Sequence, residues 1–176
     1  SICLGDSTDL SVNGAVTYQW NDGNTSSSRS VSPTANTTYT VTGTSADGCT
    51  SSDMVAVDVS SVTANAGADQ SVCSGETVTL TASGGTAYLW NTAETSSIIT
   101  ATITGTTTFS VTVSNANACT STDEVVVTLK GSKPTAAFSP VVKGYKVTLS
   151  NTSTNATSYN WSFGDGETST AANPVH

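Results

Sequence analysis

The chain has 176 residues with 13 acidic and 5 basic side chains, a net charge of −8, and Thr, Ser, Val and Gly outweigh the strong helix formers. That composition reads as all-β. It excludes nucleic acid as an expected partner, because residues 1–129 offer a single cation, Arg29, beside 11 acidic groups, whereas a binder sets several cations against phosphates. No run approaches the roughly 20 apolar residues of a membrane-spanning helix, so membrane insertion is not expected.

In chain order, the first stretch opens on Cys3 and places Leu10, then Tyr18 and Trp20, in short runs bounded by Gly, Asn, Asp and Ser. Tyr39 and Val41 alternate with polar residues, as do Val55, Val57 and Val59 after Cys49, the period-2 pattern of half-buried strands. The same order then returns in constant register and without a gap at Cys73, Leu80, Tyr88, Trp90, Phe109, Val111 and Cys119. Val78, Leu80 and Ala82 face one way in the second copy, as do Phe109, Val111 and Val113, and then Val125, Val127 and Leu129. Short strands at this spacing with turn clusters between them predict tandem antiparallel β-sandwiches.

A third unit begins after "KGSKP": Leu149 precedes Tyr159 and Trp161, and Trp161 follows Trp90 at nearly the interval that separates Trp90 from Trp20. Phe163, Gly164, Asp165 and Gly166 then turn the chain, the glycines supplying positive φ and the aspartate capping its own turn. This corner reading outranks a catalytic acid or a calcium ligand at Asp165. The expected domains are 1–61, 62–131 and 132–176.

The segment carrying Trp161 to Gly166 and Asn173 to His176 resembles the PKD domain, an Ig-like sandwich. The two cysteine-bearing copies are similar to Ig-like repeats of surface and secreted proteins from bacteria with type IX secretion. That similarity is carried by Cys3, Gly5, Leu10, Tyr18, Trp20, Tyr39, Val41, Gly48, Cys49 and Asp53, with Ala118 replacing Gly48 in the second copy. A PKD domain continues for two more strands, so the third unit is expected to be incomplete and the chain to be a segment of a longer repetitive protein.

Two cysteine pairs with the same internal spacing, in repeats that predict equal folds, suggest Cys3 with Cys49 and Cys73 with Cys119. Only this connectivity keeps each bridge inside its repeat, and free buried thiols are the competing reading. Disulfides imply an oxidising, extracellular or cell-surface location. Trp20, Trp90 and Trp161, with Tyr18, Tyr88 and Tyr159 on the same faces, are expected to fill the cores rather than to stack on sugars.

Catalytic machinery is not expected. The one histidine is His176, and Asp123 and Glu124, being adjacent on a strand, point to opposite faces. No metal site or cofactor is expected either, since no two cysteines are close in sequence. The expected function is a non-catalytic stalk, spacer or adhesin fibre of an extracellular bacterial protein. The alternative is an accessory glycan-binding or spacer region of a secreted polysaccharide-degrading enzyme. Expected partners are neighbouring domains, surface glycans or other copies of the chain.

Overall fold

The structure is a computed structural model that describes Ser1–His176. It is all-β, with Ig-like antiparallel sandwiches built from the repeated strands. The chain divides into two compact units. One comprises Ser1–Ala68, Leu80–Ile99 and Phe109–Val125, the other Asp69–Thr79, Thr100–Thr108 and Val126–His176.

Strands β1 to β7 of the first repeat span Ile2–Cys3, Thr8–Ser11, Thr17–Trp20, Ser28–Val31, Thr37–Thr44, Thr50–Val57 and Val59–Ser60. β2 pairs antiparallel with β4, while β3, β5 and β6 form a second sheet in that order. Leu10 and Val31 from one sheet meet Trp20, Tyr39, Val41 and Val57 from the other in a single buried cluster. Every one of these positions follows from alternation along its strand, which is why a sequence of mostly small polar residues still closes a core. Arg29 covers that core from the rim. Its guanidinium lies 5.7 Å from the Trp20 ring and 5.6 Å from the Tyr39 ring, and pairs with Asp22 at 2.6 Å. The second repeat places Ile99 at this position and buries it.

Val55 departs from the expected pattern: it is 42% exposed, whereas its counterpart Val125 is fully buried. β6 is the outer strand of its three-stranded sheet, whereas the strand carrying Val125 has buried Ala64 and Ala66 close by, the Ala66 amide donating to Asp123 at 2.8 Å.

Strands β8 to β13 of the second repeat span Gln70–Cys73, Thr77–Thr81, Ala87–Trp90, Ile98–Thr102, Thr107–Ser114 and Thr120–Gly131. In the first unit β10 pairs antiparallel with β12, Trp90 opposite Val111, as Trp20 stands opposite Val41. In the second unit β8 runs parallel to the end of β13, Val72 opposite Leu129 and Cys73 opposite Gly131, with a bulge at Lys130. This repeats the parallel pairing of β1 with β7, Ile2 opposite Val59 and Cys3 opposite Ser60.

The remaining strands are β14 (Phe138–Lys143), β15 (Lys146–Asn151), β16 (Trp161–Ser162) and β17 (Thr168–Ser169). β14 and β15 form a hairpin, β16 pairs only with β17, and Thr148 bridges to Val175. Beyond Val127 the one buried residue is Pro174.

Candidate functional site

The cysteines do not pair within repeats. Cys3 is bonded to Cys119, with a Cα–Cα separation of 5.5 Å, and Cys49 and Cys73 are free thiols. The expected Cys3 to Cys49 bridge fails on strand length. Cys3 sits on β1 against Ser60, past the carboxyl end of β6, whereas Cys49 lies just before the first residue of β6. An eight-residue strand separates its ends by about 25 Å, whereas a disulfide needs Cα atoms within about 7 Å. Equal spacing in sequence is therefore a true sign of repetition and a misleading sign of connectivity.

Around the bridge, the end of the first repeat and the segment to Ala66 that leads into the second are held by four groups of the second. Asn115 donates through Nδ2 to Ser60 Oγ at 2.9 Å and to the Ser61 carbonyl at 3.3 Å. Its Oδ1 accepts the Cys119 amide at 3.1 Å, which orients the cysteine. Asn65 and Ser83 exchange backbone hydrogen bonds at 3.1 and 2.8 Å. Asp123 accepts the amide of buried Ala66 at 2.8 Å, and this bond, with one from the Glu124 amide, holds its carboxyl below the usual aspartate range. Gly84 lets the backbones close: a Cβ there would collide with the Thr63 carbonyl oxygen.

The aromatic positions divide. Trp20 and Trp90 are 3% and 1% exposed, and each donates through Nε1 to a carbonyl further along the chain, Ser26 or Ser96, at 2.9 Å. Tyr18, Tyr88 and Tyr159 are half-buried rather than central. Each hydroxyl donates to the carbonyl three positions back, Ala15, Gly85 or Ala156, at 3.0, 2.9 and 3.2 Å. One local geometry thus recurs in all three segments.

Trp161, expected in a core, is instead half-buried in the wall of a groove of about 590 Å³ with Phe138, Tyr159, Ser153 and Asn155. Its ring meets Phe138 edge to face at 5.3 Å, and its Nε1 donates to the Ala171 carbonyl at 2.8 Å. The indole stays open because β16 has only two-residue β17 beside it, where β3 and β10 each have an eight-residue strand.

At the Phe163 to Gly166 corner, Gly164 and Gly166 both have positive φ, and Asp165 accepts the Glu167 amide at 3.0 Å. Asp165 also meets His176 Nε2 at 2.8 Å, and the His176 ring stacks on Phe163 at 4.3 Å. The Glu167 amide first, and His176 after it, hold the Asp165 carboxyl below its usual range. Nowhere do three His, Cys, Asp or Glu side chains gather.

The chain matches no family model and no curated protein. Among solved structures it is similar to the N-terminal eight Ig domains of Down Syndrome Cell Adhesion Molecule, with 12% identity and a TM-score of 0.39 over 85% of this chain and 30% of that one. It is also similar to three N-terminal domains of the bacteriophage RB49 Highly Immunogenic Outer Capsid protein, with 16% identity and a TM-score of 0.44 over 98% and 76% of the two chains. A third likeness is to extracellular cadherin domains 1–4 of Protocadherin Gamma B7, with 8% identity and a TM-score of 0.31 over 94% and 57%. The chain therefore spans less than two thirds of the adhesion molecule and of the protocadherin. The fold assignment rests on the strand pairing and core of the chain itself.

Proposed function

We propose that this chain is a non-catalytic segment of an extracellular, multidomain bacterial surface protein, serving as stalk, spacer or adhesin fibre. The observation that carries this reading is the Cys3–Cys119 disulfide, which joins consecutive repeats covalently. A bridge inside each repeat would only strengthen that repeat. A bridge between repeats, backed by the Asn115 hydrogen bonds to Ser60 and Ser61, resists their separation. The domains at 1–61, 62–131 and 132–176 would then serve as links, their partners being adjoining domains of the same chain. Oxidised surroundings, outside the cytoplasm, suit such a bridge. Electron microscopy of the parent protein should show extended strings of beads, and compact globules would overturn the proposal.

One observation favours a second reading, a glycan-binding accessory region. Trp161 and Phe138 line an open groove beside Ser153 and Asn155, the mixture of ring faces and amides that sugars use. Trp161→Ala should then abolish retention on insoluble polysaccharide while circular dichroism of the chain is unchanged. Equal retention of variant and parent would remove this reading.

A further inference from the structure

Cys119 works as one of four groups that grip the end of the preceding repeat and the segment leading on from it, and each has a counterpart at the equivalent position of the first repeat: Cys49 for Cys119, Ser45 for Asn115, Asn13 for Ser83 and Asp53 for Asp123. The turn that carries them is built alike. Ser45 N–H donates to the Cys49 carbonyl at 2.9 Å, as Asn115 N–H does to that of Cys119 at 3.1 Å. Ser45 Oγ accepts the Cys49 amide at 3.2 Å, in the role of Asn115 Oδ1.

The counterparts differ in occupancy. In the second repeat they hold Ser60, Ser61, Asn65, Ala66 and the sulfur of Cys3. In the first they line an open groove of about 460 Å³ that includes Asn13, Gly14, Ser45, Cys49 and Asp53. A Cβ at Gly14 would meet nothing within 4 Å, where one at Gly84 would strike the Thr63 carbonyl. No hydrogen bond reaches the backbone of Asn13, whereas that of Ser83 is paired with Asn65 on both sides. Cys49 is exposed.

The backbone part of the grip occurs a further time, in the second unit. Thr135, which follows Asn65 by one full repeat length, exchanges hydrogen bonds with Thr154 at 3.0 Å in each direction. Pairing with the segment that leads into a repeat is thus a recurrent property of these segments, and the first repeat carries the matching residues at Asn13, Ser45, Cys49 and Asp53.

We propose that the groove beside Cys49 is a docking socket for the carboxyl-terminal end of another Ig-like repeat of this type, sealed by a disulfide from Cys49 to that repeat's leading cysteine. The backbone of Asn13 pairs with the incoming linker, and Asp53 accepts one of its amides. Bridging removes two electrons and two protons from the two thiols. They pass to a disulfide oxidant such as oxidised glutathione, which leaves as two thiols. This joint stands independently of the stalk and glycan readings, since it depends on the socket alone.

The test extends the full 176-residue chain with an added copy of residues 1–70 placed directly before Ser1, which sets the added leading cysteine 116 residues before Cys49, the separation of Cys3 from Cys119. The protein is equilibrated in a glutathione redox buffer, alkylated without reduction and mapped by mass spectrometry. The expected result is a peptide linking the added leading cysteine to Cys49, and loss of Cys49 alkylation. Formation of Cys3–Cys119 in the same molecules reports that the fold is intact. Ser45→Asn, which restores the amide of Asn115, should raise the bridging equilibrium about tenfold, as two added hydrogen bonds would. Cys49 that remains alkylatable, or is capped by glutathione, while Cys3–Cys119 forms would overturn the proposal. So would bridging of Cys49 to Cys73.

Discussion

Cys3 and Cys119 are bonded across 116 residues of chain, from the leading strand of one repeat to the β12–β13 turn of the next. A closed loop of that length removes much of the freedom of the unfolded chain, and in the chain-entropy model this stabilises by up to about 5 kcal/mol. Cys3→Ser and Cys119→Ser should therefore each lower the unfolding temperature strongly, and reduction of the parent should reproduce the shift. Cys49→Ser should leave it unchanged in the isolated chain. A scanning calorimetry series in which all three variants behave alike would contradict this assignment.

Ala118 and Ala93 stand in the left-handed region at φ 60° and 73°, where the first repeat has Gly48 and Gly23 at 82° and 88°. A Cβ in that conformation costs about 1 kcal/mol or more, offset in part by the lower entropy of alanine in the unfolded chain. Ala118→Gly and Ala93→Gly should thus stabilise by up to about 1 kcal/mol each, measured by urea unfolding. Gly84→Ala should act in the opposite sense and severely, because its methyl would overlap the Thr63 carbonyl and prise the linker from the second repeat.

Trp90 is wholly enclosed and Trp161 is not. Trp90→Ala should cost about 3–5 kcal/mol, the usual penalty for emptying a buried aromatic site. Trp161→Ala should cost markedly less, because part of the ring already faces water. Equal losses in chemical denaturation would mean that the groove closes in solution.

Asp123 accepts the Ala66 amide, and Asp165 accepts the Glu167 amide; both carboxyls titrate below their ordinary value. A folded-state value below the unfolded one means that the stabilisation is complete above about pH 4 and is lost as pH falls through the folded value. The unfolding temperature of the parent should therefore fall faster with acid than those of Asp123→Asn and Asp165→Asn, with each pair of curves converging once the pH has fallen through the lowered folded-state value. Parallel curves down to acid would show that neither carboxylate contributes.

The repeat itself, the strand positions and most of the core were legible in the residues, because alternation along a strand and recurrence at a fixed interval are properties of the sequence alone. Leu10, Trp20, Tyr39, Val41, Leu80, Trp90, Phe109, Val111, Val125 and Val127 are all buried, each on the face its alternation assigns. Asp123 carried a visible signal as well, recurring at Asp53, though what it binds could not be read from its spacing.

The partner of each cysteine and the surroundings of Trp161 were decided only in three dimensions. Cys3 and Cys49 look equivalent to Cys73 and Cys119 along the chain, but a strand sets Cys49 about 25 Å from the place where β1 joins β7. Cys119 reaches that place because the second repeat docks its β12–β13 turn against the end of the first. Trp161 carries the same neighbours in sequence as Trp20 and Trp90, yet a core needs a covering strand from elsewhere in the chain. Periodicity states which way a side chain points; only tertiary packing determines what meets it there.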